Sequence, residues 1–366
     1  MFILLIILVA LLGGETIQNY PNAENLYADH VSQFGTSLLL ALNNQNHQEN
    51  IIISPLSIYS ALIVAGSGAY GKTLDEFRKV LHTCNDSRFN EEKNLLALAG
   101  QVTKAKKDRN SPEIYFESNS LWINSKFNIN KKFINQVKTA IDVDIMELNF
   151  KLKNVSNIVN SYVEKKTKGL IKNILIRLCT PDLMILASAV SLPFELDEIE
   201  MMIILPEVKS PEALQYAAFK YLSSEGLSKI KANGNITKVH LSLPRFKTGF
   251  KTLLLEQLLQ IGLVYAFTDN AEFPHISNDS LKMSNVYHQV EVKINEEGAE
   301  ATATVMIFEE KENLVKNQED ESEAYFPIDR PFLVAIYDTQ TNMPIFIGMI
   351  KTVGNADVEA EVKVDL

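Results

Sequence analysis

The chain is expected to be an α+β protein built as one domain. Three observations carry that expectation. Helical and strand-like stretches follow one another without strict alternation. Hydrophobic residues make up 46% of the 366, enough for a sizeable core. No linker, repeat or low-complexity tract divides the sequence, although its length alone would allow two domains.

The elements follow in order. The apolar run Phe2–Leu12, closed by Gly13-Gly14, is too short to span a bilayer and suits the core of a signal peptide. Residues 1–14 are therefore expected to be a leader and 15–366 the folded domain, secreted and extracellular. Between Asn22 and Asn43, Leu26, Val31, Phe34, Leu38, Leu39 and Leu42 recur at helical spacing. "NIIISPLSIYSALIVAG" opens as a short apolar strand; Ser54 then offers an N-cap and Pro55 the first helical position. "TLDEFRKVLH" reads as a third helix. "SNSLWINSKF" and "VDIMELNF" read as strands around the helix "KKFINQVKTA", and "VNSYVEKKTKGLIKNIL" as helix then turn. "DLMILASAV" and "EMMIILPE" have almost no polar interruption and read as buried strands. The last third alternates the strands "KVHLSLPRF", "HQVEVKI", "FLVAIYD" and "PIFIGMI" with a helix at "FKTLLLEQLLQIG".

Composition excludes several functions. A net charge of −10 argues against nucleic acid as a partner, since phosphate binding needs a basic face. The cluster Lys104, Lys106, Lys107 and Arg109 reads as a solvated helix face. No paired carboxylates at motif spacing, metal cluster or nucleophile elbow is present, so no catalytic residue, metal or cofactor is expected. Cys84 and Cys179 either pair once or remain free thiols. Asn85, Asn154, Asn235 and Asn278 head glycosylation sequons. "GSGAYGKT" (Gly66–Thr73) matches the phosphate-loop pattern in full, with Lys72 in the phosphate-binding place. It should instead join two helices, with Thr73 and Glu76 forming a capping box at the second.

One segment calls for another explanation. In "INEEGAEATATVMIF" (Ile294–Phe308) every second residue from Ala299 is small or apolar: Ala299, Ala301, Ala303, Val305, Ile307. Glu300, Thr302, Thr304, Met306 and Phe308 lie on the other face. That is the period of a half-buried strand, yet the polar run that follows reads as an exposed loop. Alanine is a poor strand former, so the pattern is a weak one for a permanent strand.

Several of these stretches together resemble the serpin family. "NIIISPLSIYSALIVAGSGAYGKT" carries the asparagine, the Ser-Pro-x-Ser-Ile and the Gly-Ala-x-Gly-x-Thr of that family. "VNSYVEKKTKGLI", "LSLPRF", "LLQIGLVYAF", "YHQVEVKINEEGAEATA" and "FPIDRPFLVAIYDTQTNMPIFIGMI" follow in family order, from about residue 28 to the end.

The resemblance implies helices around a large central mixed sheet, smaller sheets, and a reactive loop at about 296–325. It implies a hinge at Glu296, Glu297 and Gly298. After cleavage, the stretch Ala299, Glu300, Ala301, Thr302, Ala303, Thr304 and Val305 would enter the central sheet as a new strand. A charge or bulky group on its buried face would cost several kcal/mol. His288, with Ser54 and Ser57, would form a hydrogen-bonded latch over that opening. Family spacing places the reactive bond at Glu312–Asn313, with Lys311 as the alternative specificity residue. The implied function is suicide inhibition of a serine protease, trypsin-like by the lysine, by a monomer with no membrane partner. A non-inhibitory carrier or interaction protein is the alternative. In some members the region of Lys104–Arg109 binds sulfated glycosaminoglycans.

The sequence departs from the family most around the end of the strand "DLMILASAV". After Val190 roughly fifty family residues are absent, far more than an ordinary loop difference. They include a Phe-x-Gly-x-Trp-like motif and several strands of the smaller sheets. Ser188 also stands where the family has an asparagine.

Overall fold

The computed structural model describes residues 4–9, 23–45, 48–84, 95–97, 99–100, 116–175, 184–191, 199–206, 208–233, 235–242, 246–294, 304–307 and 324–352. A long helix opens the domain, α1 (Ala23–Gln45), with Val31, Phe34, Leu38, Leu39 and Leu42 fully buried as their spacing requires. Strand β2 (Ile51–Ile53) runs into α2 (Pro55–Ser67), capped by the Ser54 side chain with Pro55 in the first turn. Helix α3 (Gly71–Val80) follows.

The central sheet has five strands in the order β4-β3-β5-β9-β8. They are β3 (Phe116–Asn124), β4 (Asp144–Leu148), β5 (Met184–Ser191), β8 (Phe246–Leu253) and β9 (Asn285–Ile294). Parallel and antiparallel pairs alternate across it, so the sheet is mixed. Two helices belong to this region, α4 (Lys131–Ala140) and α5 (Val155–Lys166). Helix α5 lays Val155, Val159 and Val163 over Trp122 of β3 and Tyr287 of β9, on the face opposite α2.

A second sheet of five strands has the order β1-β6-β12-β13-β2, with β1 (Leu4–Val9), β6 (Ile199–Pro206), β12 (Phe332–Asp338) and β13 (Pro344–Ile350). Strands β12 and β13 are buried along their whole length, hence their unbroken apolar sequences. Helices α6 (Pro211–Tyr221) and α7 (Ser224–Asn233) come next, and α6 packs on β6 and β12. A third sheet sets β7 (Asn235–Ser242) between β10 (Thr304–Ile307) and β11 (Ala324–Pro327).

Two expectations change, and two features were not anticipated. "FKTLLLEQLLQIG" is not one helix: β8 takes its first residues, because Phe246–Leu253 pairs residue by residue with β9, and only α8 (Leu255–Gln260) is helical. Thr73 and Glu76 do not cap α3, which starts two residues earlier at Gly71. Thr73 Oγ1 instead accepts from Glu272 N (3.0 Å), and Glu76 accepts from the backbone of Val264 and Tyr265. Helices α6 and α7 had no counterpart in the reading of the sequence. Finally, Leu4–Val9, expected within a leader, pairs in parallel with Met201–Pro206. Removing it would bare that edge of β6. Among the described residues no helix is long and apolar enough to cross a membrane.

Candidate functional site

Strands β5 and β9 lie side by side and parallel, from Ile185 opposite Asn285 to Ser191 opposite Glu291. The chain leaving β9 at Ile294 can return between them only by reversing direction. A returning segment would then run antiparallel to both neighbours, with a full ladder available on each side.

Below this pair sits the start of α2. Asn119 and His288 both stand in register with position 188, across β3, β5 and β9, so the Asn119 and His288 side chains project to one face. There the Ser54 backbone N–H donates to His288 Nε2 at 3.1 Å, and the Ser57 hydroxyl donates to Asn119 Oδ1 at 2.5 Å. The Ser57 N–H closes the group onto Ser54 Oγ at 3.4 Å. Ser54, Ser57, Asn119 and His288 are all buried. Because Nε2 accepts here, that nitrogen carries no proton in this arrangement, and the bonds run as a chain from His288 through Ser54 and Ser57 to Asn119.

The predicted latch residues Ser54, Ser57 and His288 are therefore brought together. Asn119 is the member that reading the sequence missed. Position 188, where the family resemblance places an asparagine, is a serine in this chain; the amide of this group comes from Asn119 of β3. Its signal was a polar residue at an inward position of "SNSLWIN".

The other face of the sheet is held by α5. The Trp122 and Tyr162 rings meet edge to face at 5.3 Å, and Trp122 Nε1 donates to Ser120 Oγ. Asp144 accepts from the Tyr162 hydroxyl and pairs with Lys166 at 2.8 Å. Burial alone would raise the Asp144 carboxyl, but the bonds from Lys166 and Tyr162 and the Lys166 charge hold it below its ordinary value. Burial, and then Asp144, pushes the Tyr162 phenol well up. Trp122 and Tyr287 come from strands on opposite sides of β5. A strand added between β5 and β9 would move them apart by about 4.8 Å, and α5 would have to shift with them.

Of the insertion residues, Thr304 and Val305 are described, and they lie in β10 on the edge of β7. Glu296, Glu297, Gly298, Ala299, Glu300, Ala301, Thr302 and Ala303 lie outside the described residues, as do Lys311, Glu312 and Asn313. Among the sequons, Asn154 and Asn278 are exposed and Asn235 begins β7, while Asn85 lies outside the described residues. Cys84 is an exposed free thiol; Cys179 and the Lys104–Arg109 cluster are outside.

The phosphate-loop match has no site. Gly66 is inside α2 against the Phe77 ring, Lys72 Nζ sits 4.0 Å over the Tyr265 ring, and Thr73 is buried. Gly71 takes φ +53°, and the Glu272 carboxylate fills the place of a side chain there, an arrangement that repels phosphate. Among the described residues no group of His, Cys, Asp or Glu could hold a metal ion.

Comparison with known proteins agrees with this architecture. The family described as "Serpin (serine protease inhibitor)" matches residues 29–193 and 187–352, two pieces that meet where the sequence is short. An uncharacterised serpin-like protein of Thermococcus kodakarensis is 25% identical, over 87% of this chain and 84% of its own length. The crystal structure of mouse protein-Z dependent protease inhibitor superposes with a TM-score of 0.76 at 18% identity, covering 91% of this chain and 98% of that one. Human thyroxine-binding globulin, in complex with its hormone, gives 0.72 at 20% identity, over 92% of this chain and 100% of that one. With the family matched along most of its length and the central sheet in place, the chain belongs to the serpin family.

Proposed function

We propose that this serpin is a secreted suicide inhibitor of a trypsin-like serine protease. The observation that carries the reading is the parallel pair β5–β9 with its buried latch, continuous in sequence with an alternating small-residue segment. The protease serine attacks the carbonyl of Lys311 or Glu312, forms an ester with it and releases the amine of the next residue. The freed stretch then enters between β5 and β9 before water hydrolyses the ester. Fourteen residues from Ala299 to Glu312 span about 46 Å as a strand, enough to carry the protease across such a domain. Export by the Phe2–Leu12 run, action as a monomer, and glycosylation at the exposed Asn154 and Asn278 belong to the same reading. Glycosaminoglycan binding at Lys104–Arg109 is a weaker part of it.

One observation favours a non-inhibitory carrier or interaction protein instead. Only residues 192–198 connect β5 to β6, so the strands expected after Val190 are gone. The deciding experiment is a denaturing gel of the protein with trypsin. A covalent complex abolished by Lys311→Ala but retained in Lys316→Ala supports inhibition through the proposed bond. Complexes with the opposite dependence move the bond. Clean cleavage with no complex for any protease favours the non-inhibitory reading.

A further inference from the structure

The segment Thr304–Ile307 occupies a place that the insertion mechanism does not require. It lies antiparallel on β7, with Thr304 opposite Lys238, Val305 opposite Thr237, Met306 opposite Ile236 and Ile307 opposite Asn235. With β11 on the far side, this makes β7 an inner strand; without β10, the amides and carbonyls of Asn235–Lys238 would form an open edge. On its other flank β10 approaches β1.

The sequence supports two destinations for one loop. Ala299–Ala303 (Ala-Glu-Ala-Thr-Ala) is small and weak in strand propensity, suited to entering a packed sheet late. Thr304–Ile307 (Thr-Val-Met-Ile) is rich in β-branched residues and apolar on both faces at Val305, Met306 and Ile307. That composition favours permanent residence in a sheet. The four residues cannot pair with β7 and lie between β5 and β9 at once, because these strands belong to different sheets.

We propose that the edge of β7 is a second docking site for the reactive loop, and that pairing of Thr304–Ile307 there opposes its insertion between β5 and β9. The second half rests on the insertion reading above; the first does not. Insertion past Ala303 must peel β10 from β7, so the docked strand acts as a brake that releases late. Entry of the small residues upstream can begin while it holds.

The test is a reversible bridge. In a Cys84→Ser, Cys179→Ser background, Ile236→Cys and Met306→Cys place thiols at directly opposed positions of the ladder. Mild oxidation of the uncleaved protein should bridge them almost completely. The bridged protein should be cut by trypsin without forming a covalent complex and without gaining melting temperature, and reduction should restore both. A pair that does not bridge overturns the docking. A bridged protein that still gains melting temperature on cleavage overturns the brake. If the reduced protein neither traps protease nor gains stability, the inhibitory reading fails while the docking stands on the bridge alone. Hydrogen exchange on the unmodified chain avoids any folding defect of the variants. The amides within Asn235–Lys238 that face β10, every second one, should be protected before cleavage and exchange roughly tenfold faster or more afterwards. Fast exchange already in the uncleaved chain rules the docking out.

Discussion

Two regions of this serpin can accept a strand, and they are built in opposite ways. Between β5 and β9 the acceptor is closed, and buried hydrogen bonds from the start of α2 hold it. At the outer edges of β6 and β7 the acceptors are filled by segments with other expected roles, β1 from the leader and β10 from the loop. The first region has a latch of buried polar groups that ties β3 and β9 to the start of α2. The second depends on ladder pairing alone and on whichever segment is within reach. Under the insertion reading, an opening used once is guarded by polar groups that are costly to separate, whereas an edge only needs covering.

The largest effect that would break this contrast is cleavage of the loop. A new central strand adds on the order of ten backbone bonds at about 1 kcal/mol each, which should raise the melting temperature by roughly 20 °C or more. Scanning calorimetry of intact and trypsin-cut protein measures it. In Ala301→Arg the rise should vanish, because the charge cannot enter the sheet; an equal rise in both proteins places the stabilisation elsewhere.

Removing residues 1–14 tests the edges. It takes β1 from β6 and should lower the melting temperature by several degrees while leaving the β5–β9 latch intact. Ultracentrifugation of the shortened chain would show whether the bared edge pairs with a second copy. A monomer with an unchanged melting curve would make β1 dispensable.

Asn119→Ala probes the latch from its unexpected member. Loss of the Ser57 acceptor should cost about 1–3 kcal/mol and lower the melting temperature by a few degrees. If Asn119 matters only for packing, Asn119→Leu should restore stability; if the hydrogen bond matters, it should not.

The smallest effect is at the clamp on α5. The Asp144 carboxyl lies below its free value of about 3.9, so its contribution is present above that pH and is lost as pH falls through the lowered value. Asp144→Asn should therefore flatten the acid end of the stability curve and change little near neutrality. Urea titrations at several pH values check this.

Much of the frame was legible because it rests on local patterns. "KKFINQVKTA" is α4 residue for residue, and Ser54-Pro55 starts α2 as capping chemistry demands. The failures share a different cause. Phe250–Leu253 carries a helical pattern, but its β9 partner lies far along the chain and pairing overrode propensity. Glu76 lies three residues from Thr73, yet each serves a backbone N–H about 190 residues away. Asn119 could not be assigned from its neighbours, since its partner Ser57 is 62 positions distant. Within the candidate site, the residues with a sequence motif were found and the one defined only by register was not.

Trp122 is the sole tryptophan of the chain. It sits in the layer between the central sheet and α5, on the Tyr162 ring and in one cluster with Tyr287. Any widening between β5 and β9 changes the surroundings of that single indole. The molecule thus carries its own optical gauge: the colour and intensity of its intrinsic emission report on one layer, with no label to attach. Followed in a rapid mixer after protease is added, that emission would time the movement of α5 against the cutting of the loop.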